Sequence, residues 1–177
     1  MKPVFNQIAV IGAGAMGRGI AQIAAQAGSQ VWLYDTQAEA TQKAKDAVFQ
    51  MWDNLALKGR LDSETVARYK SQLHTAASLQ DLKTCEMVVE AIVERLDIKR
   101  NLFVELESIL SESAILVTNT SSLSVTAIGA ALKRPALFAG YHFFNPVPLM
   151  KVVEVIAGLK TDPEVCDRLT QFAKQMG

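Results

Sequence analysis

The chain has 177 residues, of which 50% are hydrophobic, and its 18 basic side chains balance 18 acidic ones. That length suits one domain with a substantial core, and the zero net charge gives no electrostatic footprint for a nucleic acid or a membrane surface. The two cysteines, Cys85 and Cys166, form no C-x-x-C pair, which fits reduced thiols in a cytoplasmic protein and leaves no cysteine metal site.

The N-terminal residues 1–7 lack the apolar core of a signal peptide. The longest uncharged stretch, residues 113–132, carries too many Ser, Thr and Asn for a membrane helix. The first structural signal is the apolar run Ile8-Ala9-Val10-Ile11, suited to a strand buried on both faces. Gly12-Ala13-Gly14-Ala15-Met16-Gly17 follows and matches G-x-G-x-x-G, leading into an Ala- and Ile-rich helix that Gly28 stops. A second apolar run, Val31-Trp32-Leu33-Tyr34, ends in Asp35. Strand, glycine turn, helix, strand and acid together form a dinucleotide-binding unit. Gly12 permits the tight turn, Gly14 lets a pyrophosphate approach the backbone, and Gly17 allows close helix–strand packing. The helix N-terminus, around Ala15 and Met16, offers free N–H groups to phosphates. Asp35 can accept hydrogen bonds from a ribose diol. Thr36-Gln37-Ala38 supplies no cation for a 2′-phosphate, so NAD is expected rather than NADP.

Residues 38–58 read as an amphipathic helix with Ala40, Ala44, Val48, Met51 and Leu55 on one face, closed by Gly59. Asp62 caps a second helix bearing Val66, Tyr69 and Leu73. The pair is longer than a crossover needs and is expected to project from the sheet. Further strands are expected at residues 74–77, 87–91, 115–119, 137–143 and 151–156, with helices at 96–110 and 124–132. A last helix starts at Asp162-Pro163 and runs to about Met176. This alternation predicts an α/β fold of the Rossmann type, a doubly wound and mostly parallel sheet with an inserted helical pair. The final two strands have only a short connection, Asn145-Pro146-Val147-Pro148-Leu149, and must form a C-terminal antiparallel hairpin.

With the hairpin turn centred near Val147, His142 and Glu154 fall close to a diagonal cross-strand pair. A carboxylate within Val152-Val153-Glu154-Val155-Ile156 is costly unless a partner satisfies it. An imidazole is such a partner: the carboxylate fixes its tautomer and leaves the other ring nitrogen as a base. A packed histidine and a glutamate pointing to solvent from an edge strand fit the same spacing.

The segment Gly140-Tyr141-His142-Phe143-Phe144-Asn145-Pro146-Val147-Pro148-Leu149-Met150, with Val153-Glu154-Val155, resembles the signature of the L-3-hydroxyacyl-CoA dehydrogenases. Asn119-Thr120-Ser121-Ser122-Leu123 and Val89-Glu90-Ala91-Ile92-Val93-Glu94, with Lys99 after it, resemble the same family, and the likeness spans essentially the whole chain. It implies NAD-dependent oxidation of the 3-hydroxyl of an acyl-CoA, or the reverse. His142 would then be the general base and Glu154 its orienting partner. Ser121 and Asn145 would bond the substrate oxygen or the nicotinamide region, and Glu94 and Lys99 would contact the cofactor. The helical pair would be a CoA-contacting arm on which Lys58 meets a phosphate. Met51 departs from the pattern there, standing where some members have a polar contact residue, and Arg60 reads as a solvated helix end. Members most like this chain act on 3-hydroxybutyryl- or 3-hydroxyadipyl-CoA.

The resemblance further implies a helical C-terminal domain that closes the substrate site and forms a homodimer. Residues 1–177 read as the cofactor domain of such a protein. Two other readings share parts of the pattern. A sugar-acid dehydrogenase acting on a substrate such as L-gulonate would use the same cofactor site and His/Glu pair, without a CoA arm. A non-catalytic NAD-binding module would not need His142, Glu154, Ser121 and Asn145 together.

Overall fold

A computed structural model describes residues 2–177. The chain runs β1 (Gln7–Ile11), α1 (Ala15–Gln26), β2 (Gln30–Tyr34), α2 (Ala38–Leu57), α3 (Ser63–Gln72), β3 (Leu73–Thr75), β4 (Met87–Glu90), α4 (Leu96–Ile109), β5 (Ile115–Thr118), α5 (Val125–Gly129), β6 (Phe138–Phe143), β7 (Val153–Ala157) and α6 (Pro163–Met176). The seven strands form one sheet in the order β3-β2-β1-β4-β5-β6-β7. Neighbours are parallel except β6 and β7, which are antiparallel. β4 and β5 are buried along their whole length, as central strands covered on both faces must be. Two separate cores lie on the two faces. One joins α1, α2, α3 and α6 through Ile20, Val48, Trp52, Val66, Leu169 and Phe172. The other joins α4 and α5 through Phe103, Leu106, Ile128 and Phe138.

The punctuation residues act as their chemistry requires. Gly28 and Gly59 end α1 and α2 with φ of +99° and +67°. Asp62 caps α3 by accepting from Thr65 N at 2.7 Å, and Asp162 caps α6 by accepting from Glu164 N at 2.9 Å, with Pro163 at the first helical position.

Three expectations change. The helical pair does not project from the sheet. Thr41, Ala44, Val48 and Trp52 of α2 are buried and Val66 of α3 joins them, so the inner stripe is rotated from the expected Ala40–Met51 line. Large Trp52, seated between Phe49 and Tyr69, sets that rotation. The turn around Leu57 and Lys58 is exposed. α5 is shorter than expected, because Ala131 and Leu132 close their bonds on Ile128 and Gly129 in the tighter i→i−3 pattern ahead of Pro135. The hairpin turn centres on Pro148 rather than Val147, since β7 starts at Val153 and the loop occupies residues 144–152. His142 therefore stands directly opposite Glu154 rather than diagonal to it.

Candidate active site and cofactor cleft

In a parallel sheet, loops at the carboxyl ends of the strands meet at the point where strand order reverses, here between β1 and β4. The three glycines after β1 have different reasons to be glycine. A Cβ on Gly12, whose φ is +105°, would sit 2.4 Å from the Ala91 carbonyl oxygen, and one on Gly17 would sit 1.8 Å from the Gly12 carbonyl oxygen. The chain itself requires both. A Cβ on Gly14 would meet nothing within 4 Å. The open space beside Gly14 borders the N-terminus of α1, whose first turn carries no acidic side chain and no side-chain cap. Free N–H groups at that N-terminus, those of Ala15 and Met16 among them, could hold an anion.

Asp35 is held in place by two backbone N–H groups. Its Oδ2 accepts from Ala13 N at 2.8 Å and its Oδ1 from Gln37 N at 3.0 Å, so the carboxylate is fixed against the glycine turn. It stands at the rim of a groove of about 560 Å³ walled by Tyr34, Leu79, Ile92, Ile98 and Leu102. Flat apolar walls with a carboxylate at the edge suit an adenosine, the base between the walls and the ribose at Asp35. The residues present therefore fit NAD.

The other half of the edge lies over β4, β5 and β6. His142 Nδ1 is 2.8 Å from Glu154 Oε2. With Nδ1 committed to the carboxylate, Nε2 is the nitrogen left to take a proton. The Phe144 ring lies 4.6 Å from the imidazole, centroid to centroid. Glu154 differs from expectation in one respect. Its side chain is 55% exposed on edge strand β7, while that of His142 is 18% exposed. The carboxylate is thus both paired and solvated, because outward-facing positions of an edge strand stay wet whatever their neighbours. Ser121 and Asn145 are exposed on the loops after β5 and β6. Asn119 ties those loops together, its Oδ1 accepting from Phe143 N at 2.9 Å.

Glu94 and Lys99 lie in a network whose centre is a residue that sequence reasoning passed over. Lys99 is 1% exposed, with Nζ 2.5 Å from Glu90 Oε1 and 3.2 Å from Glu94 Oε2. Its ammonium is given to these two carboxylates inside the protein. Glu90 is fully buried and also accepts from Thr118 Oγ1 at 2.6 Å and from Ile92 N at 2.7 Å. Glu94 accepts from Thr120 Oγ1 and from Ser122 Oγ, the latter at 3.2 Å. Burial pushes the Glu94 carboxyl up, but the Thr120 hydrogen bond, the Lys99 charge and the bonds from Lys99 and Ser122 outweigh it and hold it below its ordinary value. The signal for Glu90 was present in Met87-Val88-Val89-Glu90: a carboxylate closing an apolar strand needs a buried partner, and Lys99 is that partner.

Lys58 is exposed just past α2, and Met51 faces a groove of about 430 Å³ shared with Arg18, Ala47 and Asn145. Among the described residues, no cluster of His, Cys, Asp and Glu is arranged to hold a metal, and no helix is long and apolar enough to cross a membrane.

Comparison with known proteins gives a consistent result. The profile described as 3-hydroxyacyl-CoA dehydrogenase, NAD binding domain, matches residues 7–177. The 3-hydroxyadipyl-CoA dehydrogenase of Escherichia coli K12 is 43% identical over 170 residues, covering 96% of this chain and 36% of that protein. A probable 3-hydroxybutyryl-CoA dehydrogenase of Deinococcus radiodurans is 45% identical over 170 residues, covering 95% of this chain and 60% of that protein. The crystal structure of 3-hydroxybutyryl-CoA dehydrogenase from Escherichia coli K12 superposes with a TM-score of 0.96 at 42% identity, over 98% of this chain and 37% of that one. The chain thus spans between about a third and three fifths of the length of these relatives.

Proposed function

The chain belongs to the 3-hydroxyacyl-CoA dehydrogenase family as its NAD-binding domain, and from that premise we propose that it forms the cofactor half of an enzyme interconverting an L-3-hydroxyacyl-CoA and the 3-oxoacyl-CoA. The observation that carries this reading is the His142–Glu154 pair at 2.8 Å, on the same carboxyl edge of the sheet as the Gly14 cradle and Asp35.

NAD, held by the α1 N-terminus, Asp35 and the apolar groove, supplies the acceptor for the hydride from C3. His142 Nε2 takes the proton of the 3-hydroxyl as the C–O bond becomes a carbonyl. Glu154 keeps the imidazole in the tautomer with Nε2 free and stabilises the imidazolium that forms. Ser121 and Asn145 donate to the substrate oxygen or the carboxamide of the nicotinamide, steadying charge that develops in the transition state. Glu94, the partly exposed member of the buried network, faces the cofactor, and Lys99 acts on it from behind. Lys58, at the outer turn of the helical pair, meets a CoA phosphate.

We further propose that a helical domain of the kind the family resemblance implies completes the substrate site and the dimer, and that the protein is cytoplasmic. Leu149, Met150 and Val152, exposed in the loop beside the dyad at 75%, 42% and 50%, support such a cover. The test is NADH oxidation by a form carrying the C-terminal region its relatives have. Acetoacetyl-CoA should be turned over and a 3-oxo sugar acid should not. Equal turnover of both would remove the thioester from the proposal.

A further inference from the structure

We propose that Glu90 is a positioning residue: through Lys99 it fixes the carboxylate of Glu94, and Glu94 in turn fixes the turn of Thr120 and Ser122 that carries Ser121. The assignment of Glu94 and Ser121 to the cofactor and substrate rests on the reading above. The mechanical coupling does not.

The bonds form one chain from the sheet to the loop. Glu90 is anchored at the end of β4 by Ile92 N and by Thr118 Oγ1 of the neighbouring strand. It holds the Lys99 ammonium, which reaches Glu94 Oε2. The other oxygen, Oε1, receives the hydroxyls of Thr120 and Ser122, one on each side of Ser121. Thr120 Oγ1 then accepts from Leu123 N at 2.9 Å and Ser122 N at 3.4 Å, closing the turn. Every acceptor is placed by the one before it.

Stability does not explain this arrangement. Burying a carboxylate and an ammonium together costs about what their attraction returns, and apolar replacements of such pairs are often neutral or stabilising. A fully satisfied buried pair does, however, have one geometry where an apolar contact has many. Two carboxylates share one ammonium, so the cluster keeps one net negative charge, and Glu94 is the member that reaches solvent, with its side chain 39% exposed. The other charged groups on this segment face away. Arg95 pairs with Asp97 at 2.7 Å in solvent, and Arg100 donates to the Ala127 carbonyl.

The double substitution Glu90→Gln/Lys99→Met removes both buried charges together and strands neither. Unfolding temperature, amide exchange and NADH affinity are measured on this chain. The unfolding temperature should hold within a few degrees. Amide exchange at Ser122 and Leu123 should become at least about tenfold faster, while Ala9 and Val10 in β1 do not change. NADH affinity should fall about tenfold relative to the parent, and by more toward acid pH, because burial then acts on Glu94 with the Thr120 and Ser122 hydrogen bonds but no Lys99 charge to oppose it. Glu94→Gln, which leaves the buried pair in place, should reproduce the faster exchange at the turn. Unchanged exchange at Ser122 and Leu123 in both variants overturns the proposal. Faster exchange spread over the whole sheet with a lowered unfolding temperature also overturns it, by making the pair a plain structural one. A parent that binds no NADH would sink the cofactor reading of the cleft, and the exchange measurement would still decide the coupling.

Discussion

Gly14 and Gly17 share a motif and differ in what surrounds them, which separates cofactor binding from folding in a pair of single-methyl substitutions. Gly14→Ala places a methyl in open space, at φ −67° and ψ −174°, a conformation any residue adopts. Lower entropy of the unfolded chain favours the variant by about 0.4–1 kcal/mol, and loss of a glycine helix cap opposes it by a similar amount. The unfolding temperature should therefore stay within a few degrees. Gly17→Ala gains about 1 kcal/mol of helix propensity, but its Cβ would lie 1.8 Å from the Gly12 carbonyl oxygen, inside α1's contact with the turn. The contact is with backbone on a glycine at φ +105°, so helix and turn must part, a strain of about 1–3 kcal/mol net of local relaxation. Set against the helix-propensity gain this leaves a net loss of up to about 2 kcal/mol, and at about 2–4 °C per kcal/mol for a chain of this size the unfolding temperature should fall by up to roughly 8 °C. NADH affinity should show a different pattern. The Gly14 methyl fills the approach of the pyrophosphate and should weaken binding at least tenfold, about 1.4 kcal/mol, with no loss of stability. Calorimetric titration and thermal melting of the two variants beside the parent provide the assay. A Gly14→Ala protein that binds NADH as tightly as the parent would show that no phosphate passes there, and the cradle argument would fail.

Other substitutions test the remaining parts. In a form carrying the C-terminal region, His142→Gln should leave NADH affinity intact and lower kcat by about 10²–10⁴-fold, and Glu154→Gln should also slow turnover; a histidine variant within a few-fold of the parent makes His142 a packing residue. Asp35, with no nearby Arg to receive a 2′-phosphate, should make NADH bind at least about tenfold tighter than NADPH in a fluorescence titration, and equal affinities would remove its role. His74, tilted against the Trp32 ring and 2.6 Å from Gln30 Oε1, is held below its ordinary value of 6.5 by burial and then by the Lys45 charge. The unfolded chain therefore takes up this proton first as pH falls. The stabilisation is complete above about pH 6.5 and is lost as pH drops toward the folded value, so His74→Gln should flatten the melting temperature over that window.

Much of the fold was legible because its signals are local. Apolar runs punctuated by Gly28, Gly59, Asp62 and Asp162-Pro163 mark the element ends, and the short loop after Asn145 forces the antiparallel hairpin. The dinucleotide unit was legible because each glycine has its own steric reason. What escaped depends on tertiary partners. The inner face of α2 was misjudged because Ala40 and Met51 keep the same helical period as Thr41 and Trp52, and only the packing of Trp52 against Phe49 and Tyr69 selects the face. The hairpin pairing shifted by two residues, and its turn centre by one, because a nine-residue loop and a seven-residue loop satisfy the same turn residues. Lys99 read, from the family resemblance, as a direct cofactor contact, and Arg95, Asp97 and Arg100 around it gave no sign that it is buried. Its burial depends on Glu90, from a strand whose carboxylate had drawn no attention.

The exposure of Glu154 leads to the last prediction. The dyad is built within this chain, yet its carboxylate is 55% exposed and the loop beside it presents Leu149 and Val152 to water. The attraction between Glu154 and the imidazolium that forms during proton transfer depends on the medium between them. For charge centres about 4 Å apart it is about 1 kcal/mol in bulk water and about 4 kcal/mol in a partly buried site. The difference of about 3 kcal/mol corresponds to about 10²-fold in rate, before any contribution from holding the thioester in place. Cofactor binding as proposed has no such dependence, because the open N-terminus of α1 beside Gly14, Asp35 and the apolar groove next to it all belong to this chain. This chain should therefore bind NADH measurably and reduce acetoacetyl-CoA at least about 100-fold more slowly than a form carrying the C-terminal region of its relatives. Titration and turnover on both forms read the two halves separately. Turnover by the short chain close to that of the long one would mean that the wet dyad is already a complete site, and the argument from dielectric and cover would have to be abandoned.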